Sequence, residues 1–405
     1  MSLLIAAACA PATESEPIVI GAVYPTGGGQ GPGGIEEYQG LRVAADLVNR
    51  AGGVRGRDVR LRLEQADSSD QAPGAVDRLA ARGIEIVAGS YGSTISRPAA
   101  ERAADNRMLF WETGAVGEIG MAPGPGRRFF RVTPTGEVLG KAAVEFVRDQ
   151  VGPLVAPGVS LRWSVVYVDD VYGRSVGTGA VEEIRRAGLT LARAIPYRLQ
   201  GADYAAIAQE IGEAGTDVLV VSSYLDDAVA LRRETVRQRI PLKASIGTSS
   251  SYCMREFGEL MGDDAVGLFA SDKPTGMAID PGRLSPEASR TLTEGRDEYK
   301  RRFKDEMTAP ALAGFAAGWA LFHHALPKAN GLDADSVAVA ARALNLPDGS
   351  LPNGGGLRFG GTEGQSAGAN IRAARVIWEW VRPKTRAIVW PPAFANEPIR
   401  AKALT

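Results

Sequence analysis

Ile84-Glu85-Ile86-Val87-Ala88, then Gly89-Ser90-Tyr91-Gly92-Ser93-Thr94, then Ser96-Arg97-Pro98 is the stretch whose reading decides the fold. The first five residues are a short, largely apolar run, and Ser96-Arg97-Pro98 opens a helix expected to reach about Arg107. A second apolar run, Met108-Leu109-Phe110-Trp111, ends in Glu112-Thr113-Gly114. Two such runs separated by a helix-length segment predict parallel strands joined by a crossover. Small hydroxyl residues and glycines fall just past the C-terminal end of the first strand, where an open α/β sheet binds ligands. Glycine lets the backbone approach a ligand closely, and free N–H groups at the next helix start attract an anion. The stretch is a candidate carboxylate or phosphate site, and it carries no nucleophile–base pair.

The same rhythm extends in both directions. Upstream, Ile18 to Tyr24 reads as a buried strand, Pro25 to Gly34 as a glycine-rich loop, and Ile35 to Arg50 as a helix stopping at Gly52-Gly53. Asp58 to Glu64 alternates with period two, as a half-exposed edge strand does, and a helix from about Asp70 to Arg82 leads back to the opening stretch. Downstream, Pro123 to Thr135 interrupts the alternation, and Pro134-Thr135-Gly136 is the expected first crossing into a second lobe. Strands then fall near 161–168, 190–197, 217–221, 243–247 and 265–270, with helices between them. Ser271 to Pro286 is expected to cross back, and helices follow at about 289–307, 310–326 and 335–344. Ile371 to Val381 and Arg386 to Trp390 read as a closing hairpin. The whole is an α/β protein of two doubly wound lobes.

Bulk properties fit this reading. At 405 residues the chain exceeds one small domain. Lys+Arg 46 against Asp+Glu 47 gives a formal net charge of −1, which offers no basic field for nucleic acid or an anionic membrane. Cys253 stands alone in the body of the chain, so no internal disulfide is expected. Cys9 closes the apolar run Leu3 to Ala8, which resembles a lipoprotein signal whose cysteine is acylated. No Lys or Arg precedes that run, and Ala6 stands where the pattern usually has Leu. Residues 1–16 are read as signal tail and tether, and no stretch is long and apolar enough to span a membrane.

Two catalytic-looking patterns fit poorly. Gly29 to Gly34 matches G-x-G-x-x-G, but Pro25 and Pro32 remove N–H donors, and the acids Glu64 and Asp67 lie beyond the usual spacing. Gly173-Arg174-Ser175-Val176-Gly177 matches a nucleophile elbow, yet Ser175 falls inside a helix rather than on the turn after a strand. Its possible partners, His323 and His324, lie in an alanine-rich apolar helix. Two histidines and one body cysteine assemble no His/Cys metal cluster, and carboxylate-only sites stay open. Neither a cofactor nor catalysis is expected. Trp111, Tyr172 and Tyr224 each end a strand and are read as pocket walls.

Five segments, in order along about Pro17 to Trp390, resemble the type I periplasmic binding proteins of branched-chain amino-acid ABC transporters. They are Ile18-Val19-Ile20-Gly21-Ala22, Ala51-Gly52-Gly53-Val54-Arg55-Gly56, Val87-Ala88-Gly89 with Ser93 and Pro98, Asp169-Asp170-Val171-Tyr172-Gly173, and Gly356-Leu357-Arg358-Phe359. The resemblance implies two lobes joined by three crossover segments, with lobe one over 17–134 and 272–356 and lobe two over 135–271 and 357–405. It implies that Ser93, with the Tyr91 and Gly92 backbone, holds a ligand carboxylate, helped by Thr113 and Ala115. Tyr172 and Tyr224 would be lobe-two walls. The family's leucine binders carry a glutamate for the ligand's ammonium where this chain has Ser249. Either Glu112 or Asp226 supplies that charge, or the ligand lacks an ammonium, which is the favoured expectation. The implied protein is a periplasmic or extracytoplasmic monomer, anchored through Cys9, that carries a small carboxylated or polar metabolite to an ABC permease. The alternative is a ligand-sensing receptor on the same clamp.

Overall fold

The computed structural model describes residues 16–119, 128–276, 278–360, 367–402 and 404, so Cys9 lies outside the described residues. The first sheet contains β1 (Ile18–Tyr24), β2 (Val59–Gln65), β3 (Ile86–Gly89), β4 (Leu109–Glu112) and β5 (Phe129–Arg131), in the order β2-β1-β3-β4-β5. All of its pairings are parallel. The stretch 84–115 therefore forms two neighbouring parallel strands and the helix between them. β5 comes from the segment expected only to interrupt the rhythm: Phe129 and Phe130 alternate to opposite faces and complete the sheet edge.

Both faces of this sheet are covered, as parallel strands require. Ile18, Ile20, Ala22 and Tyr24 of β1 point to one core, and Val23 points to the other. Helices α1 (Gly31–Arg50), α2 (Ala72–Ala80) and α3 (Ser93–Asp105) carry the connections. α1 starts at Gly31 rather than Ile35, because Pro32 suits a first helical turn, where its missing N–H is not needed. α3 likewise starts at Ser93 rather than Ser96. Extended Gly92 caps it, and the Ile95 and Ser96 amides close on the Gly92 carbonyl at 3.0 and 2.8 Å.

Lobe two follows with α4 (Gly136–Phe146), running through a wider π turn into α5 (Gly152–Val155), then β6 (Arg162–Val168), α6 (Val171–Arg186), β7 (Thr190–Tyr197), α7 (Tyr204–Glu213), β8 (Val218–Ser222), α8 (Leu225–Arg237), β9 (Ala244–Thr248), α9 (Arg255–Met261) and β10 (Phe269–Asp272). The chain then returns to lobe one for α10 (Pro286–Phe303), α11 (Ala309–Trp319) and α12 (Ala334–Ala343). α11 packs backbone to backbone on α1. A Cβ on Gly40 would stand 1.9 Å from the Ala311 carbonyl, and one on Gly314 would stand 1.9 Å from the Glu37 carbonyl. That contact sinks Glu37 into the lobe. The chain ends in lobe two with β11 (Val376–Arg382) and β12 (Thr385–Trp390), antiparallel additions to a sheet ordered β12-β11-β10-β9-β8-β6-β7.

The third crossing differs from expectation. Leu357 and Phe359 pack into the lobe-one core, Phe359 edge-on to Trp111 at 5.4 Å, so lobe one does not end at 356. Residues 370–376, expected to be strand, make the crossing instead. Asn370 anchors it. Its Nδ2 donates to the Val132 carbonyl (3.1 Å) and the Gly356 carbonyl (2.9 Å), and its Oδ1 accepts the amides of Arg358 (3.0 Å) and Arg372 (3.1 Å). Since Val132 lies in the first crossing, one buried amide ties two crossings together. Asn370→Ala strands several buried backbone groups, and a loss of about 1–3 kcal/mol is expected, read as a lower urea midpoint; an unchanged midpoint would deny Asn370 this role.

Candidate functional site

The ends of β3 and β4 place two loops on lobe one. After β3, Tyr91 and Gly92 lead into α3, whose first N–H groups lack intrahelical acceptors and so offer donors to an anion. Ser93 is 4% exposed, and its Oγ accepts the Gly117 amide at 2.9 Å, leaving its O–H proton to donate elsewhere. The Tyr91 ring lies on the first turn of α1, where a Cβ on Gly33 would come 2.3 Å from Cζ. The glycine-rich loop thus makes room for Tyr91. Its Thr26 and Gly27 amides are already spent on Asp67 Oδ1, at 2.8 Å each.

The loop after β4 is held from inside the lobe. Glu112 is fully buried; it accepts the amides of Gly114 (2.9 Å) and Ala115 (2.8 Å) and the Ser96 hydroxyl. Arg131 donates to the carbonyls of Gly117 (2.6 Å) and Val116 (3.4 Å). Lys273 Nζ donates to the Gly114 carbonyl at 2.9 Å. The Thr113 hydroxyl donates to Glu37 Oε1 (2.6 Å) and accepts from Tyr24 (2.7 Å).

These bonds revise the expected roles. Thr113 is buried with its hydroxyl committed below the loop, and the Ala115 amide is committed to Glu112, so both brace the site rather than face a ligand. Glu112 points into lobe one and is no partner for a ligand charge. Asp226 is exposed on the first turn of α8. The buried neighbour, Asp227, is the one that binds the Tyr197 and Tyr204 hydroxyls, at 2.9 and 2.7 Å. Trp111 is a core residue and not a wall: its Nε1 donates to the Ala317 carbonyl at 3.0 Å, and its ring packs on Phe130 and Phe359. Ser175 is buried beside Gly136 at the start of α4, whereas His323 stacks on Trp319 in lobe one and reaches Glu287 at 2.7 Å. They share no site.

Lobe two brings the expected aromatic pair. Tyr172 and Tyr224 have ring centroids 5.5 Å apart. The Tyr224 hydroxyl donates to Asp170 Oδ2 (2.6 Å), and the Tyr172 hydroxyl is 3.1 Å from Thr248 Oγ1. Asp170 also caps α6 by accepting the Gly173 amide, so one carboxylate fixes both the helix start and the wall. Across the cleft, Tyr91 of lobe one and Ser250 of lobe two line the same cavity, and a Cβ on Gly117 would lie 2.9 Å from the Val171 carbonyl. The lobes are nearly shut. Between them lies a cavity of about 50 Å³, lined among others by Tyr91, Ser249, Cys253, Asp272, Lys273 and Arg386. It has room for a few waters. Of the expected ligand residues only Tyr91 and Ser249 line it; Gly92, Ser93, Thr113, Ala115, Tyr172 and Tyr224 do not.

Sequence reasoning missed Glu37, Lys273, Asp272 and Arg386. No short motif marks them, because each is delivered by a different segment. Burial pushes Glu37 up to about 8 and Glu112 up to about 7, although Lys273 and Arg131 respectively oppose the shift. Burial also draws the Arg131 guanidinium down to about 10, which leaves it charged at neutral pH.

The comparisons agree with this architecture. The profile of the periplasmic binding protein family matches residues 17–377. The chain is 28% identical over 390 residues to the Leu/Ile/Val-binding protein homolog 8 of Brucella abortus, spanning 95% of this chain and 93% of that one. It superposes on a leucine-binding protein from Thermotoga maritima with a TM-score of 0.74 at 17% identity, covering 92% and 97% of the two chains. An ABC transporter substrate-binding protein from Desulfitobacterium hafniense, solved in complex with Leu, gives 0.68 at 20% identity, covering 91% and 99%.

Raised carboxylate pKa values give the fold a pH dependence of defined sign. The native state holds protons on Glu37 and Glu112 that the unfolded chain, at the ordinary value of 4.5, has released. Their contribution is present in full below about 4.5 and is lost as pH rises through about 7 and then about 8. The thermal midpoint should therefore fall between pH 5 and pH 8, and Glu37→Gln should flatten the upper part of that fall; a midpoint that rises over this window would contradict the assignment. A profile matched along 17–377, together with two covered sheets and paired loops across a hinged cleft, identifies the family: the chain belongs to the periplasmic binding proteins.

Proposed function

We propose that this protein is the substrate-binding component of an ABC importer. It captures a small carboxylated or polar metabolite (an amino acid, organic acid, amide or aromatic acid) between its lobes and hands it to a membrane permease. The observation that carries the reading is that both lobes meet at one cleft: Tyr91 of lobe one shares a cavity with Ser249 and Ser250 of lobe two, and Gly117, bonded to Ser93, faces Val171 at the start of α6, next to the Tyr172–Tyr224 pair. The names of the relatives put branched-chain amino acids first among the candidates. No described helix is long and apolar enough to cross a membrane, which fits an extracytoplasmic carrier held, if at all, through Cys9.

The mechanism is hinge closure. A solute touching both lobes binds the closed state better than the open one, and only that difference moves the population. Converting a mostly open ensemble into a mostly closed one takes about 5.5 kcal/mol of differential binding. A carboxylate on the α3 amides and the Ser93 hydroxyl, with an apolar or aromatic body against the tyrosines, is a source of that size.

The test is a thermal-shift screen over amino acids, organic acids, amides and aromatic acids. A ligand at about 100 times its Kd adds about 2.7 kcal/mol to stability. Ser93→Ala should weaken the hit by about 10- to 100-fold, the loss of one hydrogen bond to a charged group. An unchanged shift in the variant would remove Ser93 from the site, and a panel without any shift would overturn the reading.

A further inference from the structure

Six charged side chains line the cleft cavity: Glu36, Glu256 and Asp272 on one side of the balance, Arg255, Lys273 and Arg386 on the other. Most have partners within the protein. Glu36 accepts the Thr308 hydroxyl at 2.7 Å, Lys273 donates to the Gly114 carbonyl at 2.9 Å, and Arg255 reaches Glu259 and Asp305 at 3.8 and 3.9 Å. Asp272 differs. It closes β10 at the point where the chain leaves lobe two, is 3% exposed, and its Oδ1 is buried with no hydrogen-bond partner. The Cys253 thiol, which lines the same cavity, is too weak a donor to satisfy a buried carboxyl oxygen.

The charge nearest to balancing it is Arg386. Its guanidinium lies over the Trp378 and Trp380 rings, 5.1 and 5.9 Å from their centroids, and Asp272 is among the acids that act on it electrostatically. No ion pair within 4.0 Å joins the two among the described residues. Arg386 therefore stands near Asp272 without occupying its oxygen. Asp272 lines the same cavity as Tyr91 and Ser249, which puts its carboxyl group inside the cleft. A buried carboxylate oxygen without a donor is costly, and a cationic N–H donor is the group that relieves that cost most.

We propose that Asp272 binds the ammonium group of the solute, so that the cleft selects ammonium-bearing acids over their deaminated counterparts. This inference rests on the reading of the protein as a solute-binding protein and names the ligand class of that same cleft. It runs against the sequence-based expectation of a ligand without an ammonium, for a physical reason: an anion delivered by the second crossing is invisible to a reading of the loops alone. Ser249 needs no charge if Asp272 provides it.

The test uses the full chain and matched probes: leucine, valine, phenylalanine, glutamate and arginine, each against its 2-hydroxy acid, by calorimetry and thermal shift. The wild type should bind at least one amino acid about 10- to 100-fold more tightly than its 2-hydroxy acid, the contribution of one charged hydrogen bond. Asp272→Asn should lose that preference while keeping its affinity for the hydroxy acid, and Asp272→Glu should restore part of it. Equal binding of both members of each pair by wild type overturns the proposal even if Asp272→Asn fails to fold. Undiminished amino-acid preference in a folded Asp272→Asn overturns it as well. In either case binding itself survives, and with it the reading of the protein as a carrier. If no probe binds wild type, both fall together.

Discussion

The buried pair of Glu112 and Arg131 holds the loop on which the cleft depends. Residues 113–117 have no regular structure of their own, so their backbone groups must find partners elsewhere. The carboxylate takes the Gly114 and Ala115 amides, and the guanidinium gives to the Val116 and Gly117 carbonyls. An acceptor thus holds the first half of the loop and a donor the second. No ion pair within 4.0 Å joins the two among the described residues, and removing either side chain leaves buried backbone groups of the loop without partners, at about 1–3 kcal/mol each. What it confers is shape. The loop cannot drift, and Ser93, bonded to the Gly117 amide, is fixed with it.

That rigidity suits a clamp. Hinge closure discriminates between solutes only if each jaw arrives already formed, because ordering a loop upon binding would consume affinity. Lobe two follows the same rule: Asp170 caps α6 and receives the Tyr224 hydroxyl, so the aromatic wall is set by a helix start. The lobes are joined by crossings near 132–136, 272–276 and 370–375. Asn370 binds the first of these to the third, so the two bend as one strap. The second crossing carries Asp272 and Lys273 into the cleft.

The opening stretch was legible because it states its structure locally. Apolar runs of strand length, a helix-length spacer and small residues past the strand end have one common solution, and β3, α3 and β4 adopt it. Tyr172 and Tyr224 were placed as residues at strand ends, whereas the roles of Tyr91, Ser93 and Ser249 came from the family resemblance; of the five, Tyr91 and Ser249 line the cavity. The misreadings share a cause. Trp111 ends a strand as Tyr172 does, yet it faces α11 instead of the cleft, because Ala317 and Phe359 arrive from more than two hundred residues away to cover it. Glu112 turns inward because the loop amides and Arg131 attract it there.

The sequence alone determined the two-lobed α/β plan, since it follows from periodicity and from neighbours in the chain, while the facing of the loops entered through the family resemblance. Tertiary structure alone decided which carboxylate is spent on scaffold and which is left facing the cavity. Glu112, Asp226 and Asp272 are alike as letters in a chain. They are told apart by what surrounds them in space: amides and a guanidinium, water, or a cleft. Charge burial is set by contacts between distant segments, and one-dimensional pattern carries no record of them.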